Sequence, residues 1–185
     1  MSTRMVDAAP CSVRPARPDD IPALCLLKWQ FALGEGATFV VRASPEDWMR
    51  DMFGPDARLS AVVAESGGTV IGMAIITRRF CAGWVGPLFA VDDVFVVPDR
   101  RGRGIGMALL AGAARHAIDH GAPFIELTVR EDNEPALRLY RRAGFERVPG
   151  VTLVLGGDAL TTLVDGERSD ETCSEHSPGR HAASG

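Results

Sequence analysis

The chain has 185 residues, 46% of them hydrophobic and 24% charged, with a formal net charge of −4. That length suits a single domain with a full hydrophobic core, and the acidic balance argues against a general nucleic-acid binder. No apolar run reaches the roughly 18 residues that a membrane-spanning helix needs, so no membrane partner is expected.

Residues 1–10 read as a disordered N-terminus and lack the apolar region of a secretory signal. Ser12–Arg14 is a short strand candidate closed by Pro15. Asp19 and Asp20 offer an N-cap for a helix carrying Ile21, Leu24, Leu27, Lys28 and Phe31 at helical spacing, ending near Gly34-Glu35-Gly36. Ser44-Pro45-Glu46-Asp47 is a second start signal, for a short helix through Met52 that stops at Gly54-Pro55. Leu59–Glu65 and Thr69–Ile76 are β-rich runs with hairpin spacing about Ser66-Gly67-Gly68. Residues 77–90 read as irregular, with Gly83, Gly86 and Pro87 around Trp84. Val94–Val97 is an apolar strand that ends at Pro98-Asp99, and an arginine- and glycine-dense turn, Arg100–Gly106, leads into an amphipathic helix ending at Gly121. A β-rich run, Phe124–Val129, a helix over Asn133–Arg142 and two short strands, Glu146–Val148 and Val151–Leu155, complete a domain expected over 11–164. Residues 165–185 are polar and Gly/Ser-rich and read as a disordered tail.

The four cysteines, Cys11, Cys25, Cys81 and Cys173, make no CxxC or zinc spacing, and are expected to be free, mostly buried thiols in a reducing cytoplasm. His116 and His120 are four apart on the central helix without further ligands near them in sequence, so no metal is expected. A Gly-x-Ser-x-Gly elbow for nucleophilic hydrolysis is absent from the sequence.

The order strand, glycine turn, helix, strand over Val91–Val129 is a βαβ unit with a ligand loop at its first crossing. Glycines at 102, 104 and 106 let the backbone approach a ligand closely. The unpartnered N–H groups of the following helix, its dipole, and Arg100, Arg101 and Arg103 all favour an anion there, a phosphate or pyrophosphate. A P-loop would need Lys then Ser or Thr, where Met107-Ala108 stand. A dinucleotide fingerprint would need a third glycine where Met107 or Leu109 stands, although Glu126 has about the spacing of its acid.

Downstream, Asn133 can cap its helix, and Tyr140, the only tyrosine, follows two turns later on nearly the same face. An aromatic with its hydroxyl at the rim of a helix explains Tyr140 without chemistry; a phenol of ordinary pKa about 10 can equally serve as an acid. Asp92 and Asp93 precede the apolar strand, and strict alternation sends them to opposite faces unless a bulge intervenes. Each could be a solvated strand-start acid, a proton acceptor or an anchor for a cation. Glu126 interrupts an apolar strand, either facing solvent or serving as a second proton acceptor.

Arg101-x-x-Gly104-x-Gly106 on a strand-to-helix turn, followed by Asn133 and Tyr140 ahead of Gly144-Phe145, resembles the acetyl-CoA-binding core of the GNAT superfamily of N-acetyltransferases. Asp92-Asp93, Asn133-Glu134-Pro135 and Ala82-Gly83-Trp84-Val85-Gly86 are most similar to the diamine (spermidine/spermine) and thialysine acetyltransferases, which carry Glu-Asp at the acid pair. The resemblance implies an α/β (α+β) fold, a mixed six- to seven-stranded sheet with a splayed central parallel pair and helices on both faces. It implies acetyl-CoA as cosubstrate, with Val94, Phe95 and Val96 on the pantetheine amides and Asn133 on the same arm. Arg101, Gly102, Arg103, Gly104, Ile105, Gly106 and Met107 would lie around the pyrophosphate. Tyr140 would protonate the thiolate, Asp93 or Glu126 would take the amine proton, and Asp92, Glu35 and Trp84 would line the acceptor site. A small primary amine, a diamine, polyamine or aminoalkyl amino acid, is the expected partner of a cytoplasmic homodimer. An aminoglycoside or protein N-terminus as acceptor, and a CoA- or dinucleotide-binding sensor without turnover, are the alternatives.

Overall fold

Among the described residues five strands form one sheet in the order β1-β2-β3-β4-β5, with β1 Cys11–Pro15, β2 Leu59–Ser66, β3 Thr69–Cys81, β4 Gly86–Val96 and β5 Ile125–Glu126. The first four pair antiparallel and β4 pairs β5 in parallel. This computed structural model describes residues 10–34, 43–81 and 86–149, together with Leu163. The chain divides into two units, Met1–Phe145 and Glu146–Gly185, and the sheet belongs to the first. In the second, Glu146–Val148, expected as a strand, has no strand pairing among the described residues. Val151–Leu155, the two stretches expected to be disordered (save Pro10), Glu35 and Trp84 lie outside them.

Helices cover both faces. On one face α3 (Ile105–Asp119) presents Ile105, Leu109, Ala113 and Ala117, four residues apart, to Val62, Ala64, Ala74, Ile76, Phe89 and Val91. Burial of each large aliphatic side chain there contributes about 1.5–3 kcal/mol. Gly72 of β3 lets α3 come this close, since a Cβ would stand 2.9 Å from the Phe95 carbonyl oxygen and 3.3 Å from a Leu109 methyl. On the other face α1 (Ile21–Gly34) and α2 (Pro45–Phe53) bring Ile21, Leu24, Leu27, Trp48 and Met52 against Ala61, Val63, Met73, Ile75 and Phe95. Helix α2 starts as the sequence indicates, with the Ser44 hydroxyl accepting the Asp47 N–H and the Asp47 carboxylate accepting the Ser44 N–H.

Three expectations change. Residues 77–81 and 86–90 are ordered strand, because the hairpin of β3 and β4 runs its full ladder to Cys81 and Gly86. The run Phe124–Val129 shortens to the pair Ile125–Glu126, because β5 leaves β4 after one step of ladder. Cys11 is exposed rather than buried, and Cys25 is half-buried.

Candidate active site

The parting of β4 from β5 creates the site. Pairing ends at Ala90 with Glu126, while β4 continues to Val96. Val97 donates its N–H to the Ile71 carbonyl at 3.0 Å, so the antiparallel alternation turns Phe95 toward β3 and leaves the N–H groups of Val94 and Val96 facing the gap. Of the three residues expected to meet an extended ligand through their N–H groups, two can.

At the far end of the gap stands the glycine turn. A single 3₁₀ turn, Pro98–Arg100, leads to Gly102 at φ 75° and to Gly104 at φ 80°, which is the N-cap of α3. Both are left-handed conformations that glycine adopts without strain. The first helical bond runs from Ala108 N–H to Gly104 O, so the N–H groups of Ile105, Gly106 and Met107 have no acceptor within the helix. Among the described residues nothing lies within 4 Å of where a Gly104 Cβ would be, so this side of the turn is open to a ligand. A close-approaching anion fits such a cradle. Gly106 instead faces α4 (Glu134–Arg142), where a Cβ would sit 3.1 Å from a Leu139 methyl. The arginines divide their tasks. Arg101 turns back, donating from Nε to the Val96 carbonyl at 2.8 Å and lying 5.4 Å from the Phe95 ring centre, so it braces the turn against β4. Arg103 reaches the Asp99 carbonyl at 3.4 Å and is exposed.

A β-bulge decides the acids. The β3–β4 register passes from Ile75 with Asp93 to Ile76 with Val91, leaving Asp92 as the extra residue. Strict alternation fails there, and both carboxylates lie on the α1 side: Asp93 bonds Lys28 of α1 at 2.6 Å, and Asp92 accepts from the Thr77 hydroxyl. Glu126, in register with Ala90 and out of phase with the core residue Ile125, joins them. Its Oε1 lies 2.7 Å from Arg79 Nη1, and Arg79 Nη2 is 4.0 Å from Asp92 Oδ1. Arg79, Asp92 and Glu126 line one small cleft with Ala90, Val91, Leu127 and Thr128. Burial pushes the Asp92 carboxyl above its usual range, with Arg79 offsetting part of the rise. Asp93 is buried beside the Lys28 ammonium, and Asp92 faces the cleft.

On α4, Asn133 is the cap, its Oδ1 accepting the Ala136 N–H at 3.2 Å. Tyr140 is half-buried, with its ring centre 5.7 Å from that of Phe145. Lys28, Thr77 and Arg79 are the residues that sequence reasoning missed. Among the described residues no group of three or more His, Cys, Asp or Glu is placed to hold a metal ion, and no helix is long and apolar enough to cross a membrane.

This fold, with a glycine-turn anion cradle leading along an open strand edge to an acid-lined cleft, is that of an acyltransferase core. The profile of the acetyltransferase (GNAT) family matches residues 27–145, more than half the chain. The chain belongs to that family, and its enzyme class is N-acetyltransferase. It is 27% identical over 140 residues to a mouse thialysine N-epsilon-acetyltransferase, covering 71% of this chain and 82% of that protein. It is 43% identical over 110 residues to the Mycobacterium tuberculosis N-alpha-acetyltransferase RimI, covering 56% of this chain and 65% of that one. Several microbial relatives are matched over less than two thirds of their own length. Among solved structures, the aminoglycoside N-acetyltransferase AAC(6')-Iy in complex with CoA superposes with a TM-score of 0.66 at 18% identity, covering 82% of this chain and 98% of that one, a likeness of fold.

Proposed function

We propose that the protein transfers the acetyl group of acetyl-CoA to a primary amine of a small molecule, a diamine, polyamine or aminoalkyl amino acid, by direct attack in a ternary complex. The observation that carries this reading is the open edge of β4, whose Val94 and Val96 N–H groups run from the glycine turn to the acid-lined cleft. Acetyl-CoA fits that run. Its pyrophosphate would take the N–H groups of Gly102 to Met107 with Arg103 beside them, and its pantetheine amides the edge of β4, with Asn133 on the same arm.

The acceptor enters from the cleft of Asp92 and Glu126. An alkyl ammonium of ordinary pKa about 10.4 must lose a proton before it can attack. Asp92, its proton affinity raised by burial, is the acceptor of that proton, directly or through water. Asp93 holds Lys28 and fixes the bulge on which Asp92 sits. As the C–N bond forms and the C–S bond breaks, Tyr140 gives its proton to the departing thiolate. Glu126 is a second carboxylate in reach of the amine; Glu35 and Trp84, which the family resemblance puts on the acceptor side, lie outside the described residues. The protein would act as a homodimer, as the family resemblance implies, and in the reducing cytoplasm that free cysteines suit.

The thialysine acetyltransferase relative supports an amine at the end of an alkyl chain. The RimI relative favours a second reading, the α-amine of a protein N-terminus. One experiment separates them: purified protein with acetyl-CoA is offered alkyl diamines, aminoalkyl amino acids, aminoglycosides and short peptides, and products are identified by mass spectrometry. N-acetylated alkyl amines with matching CoA release are expected. Acetylation of peptides alone moves the assignment to protein N-termini, and CoA release without any acetylated amine removes it.

A further inference from the structure

Arg79 stands across the acid-lined cleft from the strand that carries Asp92. It projects from β3 in register with Leu88, and its guanidinium meets Glu126 at 2.7 Å and Asp92 at 4.0 Å. Those two carboxylates belong to the neighbouring strands β4 and β5 at the step where their pairing ends. Lys28 already holds the third acid, Asp93, at 2.6 Å. A guanidinium keeps its charge at every physiological pH, so the cleft already contains a cation where an acceptor with two positive charges would put its second one. The three side chains are each about half exposed, at 54%, 41% and 42%, so these contacts can exchange with a ligand.

We propose that Arg79 sets the charge selectivity of the acceptor site: its guanidinium occupies the place of a distal ammonium, so a cationic tail must displace it and a neutral tail need not. The proposal rests on the cleft being the acceptor site, as argued above. Displacement is possible because an exposed ion pair is weak, and it is felt because the incoming ammonium also meets a like charge. Removing the guanidinium leaves Glu126 free for the tail, while Asp92 stays with the reacting amine.

The test compares wild type with Arg79→Gln, each loaded with CoA, by calorimetric titration with 1,4-diaminobutane and with 1-aminobutane. Arg79→Gln is expected to bind the diamine about fivefold more tightly, the scale of one exposed ion pair, with monoamine affinity unchanged. Adding Glu126→Gln to that variant is expected to cancel the gain. The same diamine affinity in both proteins, including no binding in either, overturns the proposal, as does an equal shift for both amines. Acetyl-CoA turnover is read separately. Loss of the charge effect with turnover intact leaves the transferase reading standing, and tighter diamine binding without turnover does the reverse.

Discussion

Lys28 Nζ stands 2.6 Å from Asp93 Oδ2 and ties α1 to β4 at the bulge. Both side chains are largely buried, so each charge relies on the other. Lys28→Met is expected to lower stability by about 2–3 kcal/mol by leaving the Asp93 carboxylate without its partner. Lys28→Met combined with Asp93→Asn is expected to recover most of that loss. Urea unfolding of wild type and the two variants checks this, and a Lys28→Met midpoint equal to wild type would show the pair to be idle.

Tyr140→Phe keeps a ring against Phe145 while removing the hydroxyl. Turnover is expected to fall about 100-fold or more, the usual scale for loss of a general acid, with acetyl-CoA affinity within a few-fold of wild type. Wild-type turnover would make Tyr140 a packing residue and assign protonation of the thiolate to another group or to water.

Gly104→Val should weaken acetyl-CoA binding at least tenfold. Valine at φ 80° is strained, and its side chain would fill the open side of the turn where the pyrophosphate would lie. Calorimetry on a variant whose circular dichroism matches wild type checks this. An unchanged dissociation constant would move the pyrophosphate elsewhere.

His116 gives the molecule an acid-sensitive point. Its Nε2 is buried with no hydrogen-bond partner among the described residues, and burial, with His120 adding to it, pushes the imidazole below its ordinary value. A base whose folded pKa is depressed binds its proton more readily in the unfolded chain, so its effect on stability is nil above the unfolded value near 6.5 and adverse below it. The melting temperature of wild type should fall between about pH 7 and 5.5 more steeply than that of His116→Phe. Parallel slopes for the two proteins would refute this role.

The glycine turn and α3 were legible because everything that builds them is local: three alternate glycines, flanking arginines, and apolar residues four apart. Helix α2 was legible for the same reason, its cap and proline lying within four residues. The bulge could be raised but not placed, since the adjacent acids of Val91-Asp92-Asp93-Val94 break an apolar–polar alternation without showing which residue is extra until the register with β3 is known. Lys28 meets Asp93 across 65 residues and Arg79 meets Glu126 across 47, and no local pattern signals either contact. The shortness of β5 escaped notice because an apolar run records burial, and Leu127 stays packed on the core after the ladder has ended.

The central claim is that acetyl-CoA lies along β4 in the gap beside β5, and amide hydrogen exchange tests it most directly. In the free protein the Phe95 N–H is already held by β3, whereas those of Val94 and Val96 face the gap. Saturation with acetyl-CoA is predicted to slow exchange at Val94 and Val96 by at least about tenfold and to leave Phe95 nearly unchanged, as hydrogen bonding of an exposed N–H requires. Unchanged exchange at Val94 and Val96 in the saturated protein would contradict the account.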